Sequence, residues 1–214
     1  MNLFITGTDT DAGKTYVCAL LVRALRRAGQ DAVPMKPFCC GSRGDAEALH
    51  AACDGALPLD TINPVYYDSP TAPYTAAKLE NRPADVPLVL KTFRQLRAAH
   101  RSVIVEGVGG WMVPITRDYF VADLAAEMGL PVAVVVRNKL GALNHALLTV
   151  RDIERRGLPF AGIIFNRVEA ENDPAAATNR ELLEELLGQP VLFQVGPGQT
   201  ELPASALETR LSGF

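Results

Sequence analysis

The chain has 214 residues, 48% hydrophobic and 21% charged, with a formal net charge of −3. That balance suits one globular domain with a large core, and it excludes the basic footprint of a nucleic-acid binder or of a protein held on an anionic membrane. No apolar run predicts a membrane-spanning helix, and the four cysteines (Cys18, Cys39, Cys40, Cys53) lack C-x-x-C spacing, so reduced thiols are expected rather than a zinc site or a disulfide framework.

NLFIT (2–6) is a short apolar run ended by Gly7 and reads as a buried strand. It is preceded by no basic segment and followed by no small-residue cleavage site, so no secretory signal is expected and a cytoplasmic location is. Beyond Lys14 and Thr15, the apolar residues Val17, Leu20, Leu21, Ala24, Leu25 and Ala28 recur at helical spacing, closed by Gly29. AVPMK (32–36) predicts a second strand despite its proline, and DAEALHAAC (45–53) a helix. Residues 57–75 are proline-rich and read as a loop. VPLVLKTFRQLRAAH (86–100) predicts a helix, SVIVE (102–106) a strand running into GVGG, and VADLAAEMG (121–129) a helix. PVAVVV (131–136) is a strand, ALNHALLTVRDIERRG (142–157) a helix and FAGIIFN (160–166) a strand. DPAAATNRELLEELLG (173–188) is a helix and PVLFQV (190–195) a strand. Near-continuously apolar strands alternating with helices predict an α/β fold, a parallel sheet with helices on both faces and right-handed crossovers. No repeat or linker interrupts the pattern, so residues 1–214 are expected to form one domain.

Between the first strand and the first helix lies GTDTDAGKT, residues 7–15. It is a variant of the phosphate-binding pattern G-x-x-x-x-G-K-[ST], with five residues rather than four between Gly7 and Gly13. A strand–loop–helix junction aims backbone N–H groups and a helix N-terminus at one point, which favours an anion there. Lys14 can reach terminal phosphates, and the Thr15 hydroxyl can ligate magnesium. The acidic Asp9 and Asp11 are unusual beside a polyanion and are expected to need a metal, a lysine or an amine. Ligands of parallel sheets bind beyond the carboxyl ends of the strands. Two charged groups fall there: Lys36 after PM and Glu106 after VIV. Asp45 opens a helix after GSRG. Thr15, Asp45 and Glu106 form a set of the kind magnesium takes, hard oxygens with one or two carboxylates beside phosphate. The competing reading of Asp45 is a plain helix cap, and that of Lys36 a surface lysine.

TGTDTDAGKT, KP followed by a glycine-rich loop and GD, VEGVGGW, and KLGALNHALLT occur in this order. Together they resemble the dethiobiotin synthetases, over Asn2 to about Val195. The resemblance implies a P-loop NTPase-like fold and an ATP- and Mg²⁺-dependent ring closure of diaminopelargonic acid with carbon dioxide. One amine forms a carbamate, ATP phosphorylates it, and the second amine displaces phosphate from the mixed carbamic–phosphoric anhydride. Asp11, Ala12, Gly13, Lys14, Thr15 and Tyr16 are implied to hold the nucleotide, with Glu106 and, at its adenine, Asn166; QVGP (194–197) is implied to lie near the base. Thr15, Asp45 and Glu106 are implied to hold the metal. Lys14, Lys36 and Thr10 are the implied catalytic groups, Lys36 meeting the carbamate and the transferred phosphoryl. Cys40, Leu140, Gly141 and Asn144 are implied substrate contacts. The last three begin a helix that, in the family, binds the substrate's distant carboxylate across a two-fold interface, so a homodimer with composite sites is implied.

Three positions depart from the family pattern. Cys40 stands in place of a hydroxyl residue, with Ser42 as a possible substitute; Asp11 replaces glutamate; and Tyr74 replaces histidine. Cys40 and Tyr74 motivate an alternative, a related ligase acting on another amine or acid. A second alternative is an ATP-dependent switch protein, although residues 7–12 lack the extra lysine such relatives often carry. Trp111 reads equally as a substrate contact or a hydrophobic anchor, His145 as a cap or packing residue, and His50 and His100 as solvent-facing. A covalent role for Cys40 is not expected, because the implied chemistry needs none.

Overall fold

The computed structural model describes residues 1–167 and 174–202. Six parallel strands form its main sheet, in the order β2 (Ala32–Met35), β5 (Ser102–Glu106), β1 (Asn2–Gly7), β6 (Val132–Arg137), β7 (Phe160–Asn166) and β8 (Phe193–Val195). Strands β1, β5 and β6 are buried on both faces along almost their whole length, which explains their unbroken apolar sequence. Helix α1 (Lys14–Arg27) packs on β1, β2 and β5, and α7 (Ala142–Arg155) on β6 and β7. α5 (Val86–Ala99) packs on β5, while α6 (Val121–Met128) and α8 (Pro174–Leu187) complete the β–α alternation. The buried apolar side chains form one cluster that runs from Leu3 to Leu202.

The predicted strands and long helices are all present, with small differences at their ends. The second strand stops at Met35, leaving Lys36 just beyond it, and the last strand is confined to Phe193–Val195. Residue 173, the expected first residue of the last helix, lies outside the described residues.

The proline-rich stretch 57–75 is not a plain loop. It contains α3 (Leu59–Ile62), β4 (Val65–Tyr67) and the first residues of α4 (Pro73–Leu79). β4 pairs in parallel with β3 (Phe38–Cys40), a strand the sequence did not announce, in the register Phe38↔Val65 and Cys40↔Tyr67. Three-residue strands carry too little periodicity to be read locally. This small sheet is closed by a buried side chain: Asn63 Nδ2 donates to the carbonyls of Lys36 and Val65, both at 2.9 Å. It therefore fixes the chain that runs from Lys36 through Cys40 into α2 (Gly44–Ala52).

Candidate active site

Residues 8–13 connect β1 to α1. Gly13 is the N-cap of α1 at φ 90°, in the left-handed region that only glycine enters freely. A side chain there is also excluded by space, since a Cβ would lie 1.9 Å from Asn166 Nδ2. Asn166, at the end of β7, donates to the carbonyl of Ala12 at 3.0 Å and so pins the loop to the sheet rim. Lys14 is buried and curls back to donate to the Asp9 carbonyl at 3.0 Å. Burial, and then the nearby Lys36 charge, hold its pKa below the usual lysine value. Asp9 and Asp11 are both exposed. The Asp9 carboxylate accepts from the Thr10 N–H at 2.7 Å, and Asp11 sits at φ 57°.

Four side chains meet beside this loop. Lys36 Nζ lies 2.5 Å from Glu106 Oε1 and 2.8 Å from Asp45 Oδ2. The Thr15 hydroxyl donates to the same Glu106 oxygen at 2.7 Å and also hydrogen-bonds Asp45. Lys36 is 2% and Glu106 1% exposed. Burial alone would lower the Lys36 pKa, but the two carboxylates outweigh it and hold the ammonium charged above its ordinary range. For Asp45 burial pushes upward, and the Lys36 charge and hydrogen bonds overcome it, leaving the carboxyl below its usual pKa. The helix-cap reading of Asp45 is excluded, because the N-cap of α2 is Arg43 and the Gly44 N–H is met by Ser42 Oγ at 3.0 Å. The surface reading of Lys36 is excluded by its burial.

The remaining acceptor in this cluster, Glu106 Oε2, is buried with no hydrogen-bond partner. Leaving such an atom unmet costs on the order of 1–3 kcal/mol. A hard cation would satisfy it, and the donor set of one hydroxyl and two carboxylates fits magnesium.

These groups line one cleft of about 830 Å³. Thr10, Asp11, Gly13 and Tyr16 line it from the loop and α1, and Asn166 from β7, together with the 196–198 turn. Cys40, Ser42 and Gly109 line it too, as do residues 70–72 of the stretch read as a loop. Burial pushes the Cys39 thiol to about 12 and the Cys40 thiol to about 11, so neither is a thiolate nucleophile near neutrality. Arg167 and the residues 70–72 were missed by sequence reasoning, because only the folded chain brings them to the rim.

Other expected contacts lie elsewhere. Leu140, Gly141 and Asn144 do not line the cleft; they sit at the exposed start of α7, where Gly141 is the N-cap at φ 85°. Tyr74 is also absent from the lining, its ring lying under the Lys78 ammonium at 4.1 Å. Trp111 is a buried anchor whose indole N–H donates to Asp152 Oδ2 at 2.8 Å. His50 and His100 are half-buried rather than solvent-facing, and His100 Nδ1 lies 2.9 Å from Asp31. His145 is exposed on the first turn of α7. Among the described residues no helix is long and apolar enough to cross a membrane.

A family model described as an AAA domain matches residues 1–200. The ATP-dependent dethiobiotin synthetase BioD of Akkermansia muciniphila is 48% identical over 210 residues, covering 98% of this chain and 99% of that protein. The protein of the same name from Anaeromyxobacter dehalogenans is 50% identical over 182 residues, 83% of this chain and 82% of that one. Among solved structures, the MinD cell division protein of Aquifex aeolicus superposes with a TM-score of 0.59 at 14% identity, over 100% of this chain and 97% of its own. A ParA family ATPase from Chlorobium tepidum gives 0.58 at 15% identity, over 99% and 89%. At that identity the likeness speaks for the fold alone, and the fold is the expected P-loop NTPase-like one.

Proposed function

The chain belongs to the dethiobiotin synthetase family, and we propose that it closes diaminopelargonic acid and carbon dioxide into dethiobiotin at the expense of ATP. The observation that carries this reading is the cluster of buried Lys36 and Glu106 with Asp45 and Thr15, beside the loop that presents Lys14. A carbamate and a triphosphate repel each other. A site that joins them must supply positive charge; Lys14 and Lys36 bring two ammonium groups, and because Glu106 and Asp45 offset Lys36, the balance would come from the magnesium those carboxylates hold.

In this reading one amine of the substrate takes up carbon dioxide to form a carbamate. Its oxygen attacks the γ-phosphorus of ATP, and ADP leaves. The second amine then attacks the carbamoyl carbon of the mixed anhydride, and the C–O bond to phosphate breaks. Lys14 holds the phosphates, and Lys36, kept cationic by its two carboxylates, meets the carbamate and the transferred phosphoryl. Thr10 borders the amine side. Thr15, Asp45 and Glu106 would hold magnesium, which when bound would supply charge neutralisation for the phosphoryl group. Asn166 meets the adenine. Most of the work is positioning.

We read the chain as one catalytic domain, working in the cytoplasm as a homodimer. Leu140, Gly141 and Asn144 lie outside the cleft of their own subunit, which suits a role in the site of the other. A helix N-terminus favours the carboxylate that a linear diamino acid carries far from its amines. Leu140, just before the helix, is 80% exposed, and Leu148 on it is 65% exposed. The test is the product mass after incubation with the diamine, bicarbonate and ATP. Dethiobiotin and ADP in equal amounts are expected. ATP hydrolysis with no cyclic urea would overturn the assignment.

A further inference from the structure

Tyr16 follows the Lys14–Thr15 pair in the first turn of α1, so the turn that presents the phosphate-binding groups also fixes this side chain. Its hydroxyl meets the turn that follows β8. It donates to the Gln199 carbonyl in a short bond and lies 3.4 Å from the Gly196 carbonyl, 183 and 180 residues further along the chain. The Gln199 side chain braces the same turn: its Oε1 accepts from the Gly196 N–H at 3.0 Å, and its Nε2 donates to the Glu201 carbonyl at 2.7 Å. Tyr16 and residues 196–198 line the cleft together with Asn166. On its other side the turn follows β8, where the Val195 carbonyl accepts from Arg167 N–H at 2.9 Å. A second tie from α1, between Arg27 and Glu201 at 2.6 Å, is more than half exposed on both partners and is worth little in water.

Gly196, Pro197 and Gly198 offer the cleft only backbone and a proline ring, a surface suited to a flat base. Such a wall grips only if its position is held. We propose that Tyr16 is a positioning residue that holds the 196–198 turn as the wall against the nucleotide base, and so sets the base's share of nucleotide affinity apart from the triphosphate's share at Lys14 and Thr15. This rests on the reading given above, in which the base lies beside Asn166 and near residues 194–197, and adds to it the role of Tyr16.

The test is calorimetric titration of wild type and Tyr16→Phe, in magnesium, with ATP and with inorganic tripolyphosphate. Loss of the hydroxyl should weaken ATP about five- to tenfold and tripolyphosphate less than about twofold. A tether that merely stabilised the fold would lower the melting temperature and leave both constants alone. Unchanged ATP affinity would overturn the inference. So would equal weakening of both ligands, which would mean that Tyr16 acts through the phosphate loop. Gln199→Ala keeps Tyr16 and releases the turn from within, and should show the same selective loss. If Tyr16→Phe does not fold, Gln199→Ala decides by the same outcomes. Neither titration contains diamine or bicarbonate. A wild type that binds ATP but makes no dethiobiotin would sink the functional reading and leave this test standing, whereas one that binds tripolyphosphate as tightly as ATP would sink the inference itself.

Discussion

Lys36 Nζ stands 2.5 Å from Glu106 Oε1, with both side chains almost fully buried. The ammonium thus compensates a carboxylate that water cannot reach. Removing one partner of a buried pair leaves the other charge uncompensated, at a cost of about 3–5 kcal/mol. Lys36→Met should therefore lower stability by roughly 3 kcal/mol, a fall of about 6–12 °C in Tm for a chain of this size. It should also cut turnover at least about a hundredfold. Thermal melts and steady-state kinetics on the same preparation check both. An active variant with an unchanged Tm would contradict the geometry.

Lys14 and Lys36 are shifted in opposite directions, and this has a consequence for pH. Burial and the Lys36 charge lower the pKa of Lys14, while the carboxylates raise that of Lys36. The group that first loses its proton as pH rises is therefore Lys14, and its loss removes charge facing the phosphates. For the free enzyme kcat/KM for ATP reports this ionisation. The profile should fall on the alkaline side with an apparent pKa below the ordinary lysine value of 10.5. A profile flat up to that pH would exclude it. Lys14→Ala should retain its fold by circular dichroism and lose about 10²–10³ in kcat.

Asp45 is tied to Lys36 and Thr15 and does not cap its helix. If it holds the metal with Thr15 and Glu106, Asp45→Asn should raise the magnesium concentration needed for half-maximal rate by about tenfold, since one anionic ligand becomes neutral. Chelator should abolish activity in the wild type. An unchanged magnesium requirement in Asp45→Asn would leave the residue only its ion pair with Lys36.

Asn144 lies on the first turn of α7, outside the cleft of its own subunit. Asn144→Ala should weaken diamine binding and leave ATP binding unchanged. Mixed with Lys14→Ala, it should restore up to about a quarter of wild-type activity, because half of randomly assorted dimers are mixed and each mixed dimer carries one intact site. A fully active monomer at assay concentration would rule the composite site out.

The phosphate loop was legible because everything that makes it is local. Strand, glycine at a left-handed position and helix start lie within residues 2–27, and neighbouring residues decide their dihedral angles and hydrogen bonds. The long strands and helices were legible from their apolar spacing. The paired strands β3 and β4 were not, because three residues have almost no period and proline hid the helices beside them. Asp45 was ambiguous for a similar reason: an acidic residue at a helix start reads the same whether it serves the backbone or a distant lysine.

The sequence by itself determined the alternation of strands and helices, the anion-binding turn, and which residue types stand at strand ends. Only the tertiary structure decided which of those ends meet. Lys36 and Glu106 are 70 residues apart, and they touch because β2 and β5 pair in parallel with Met35 opposite Val105, one step before each. Glu106 in turn faces Ile5 on β1, the strand that leads into the loop carrying Lys14 and Thr15. Tyr16 and Gln199 are joined across 183 residues, because β8 is the last strand added at the edge beside β7. Strand order and register are properties of the whole sheet, since side-chain period alone is satisfied by many pairings and only the packing of the complete core selects one.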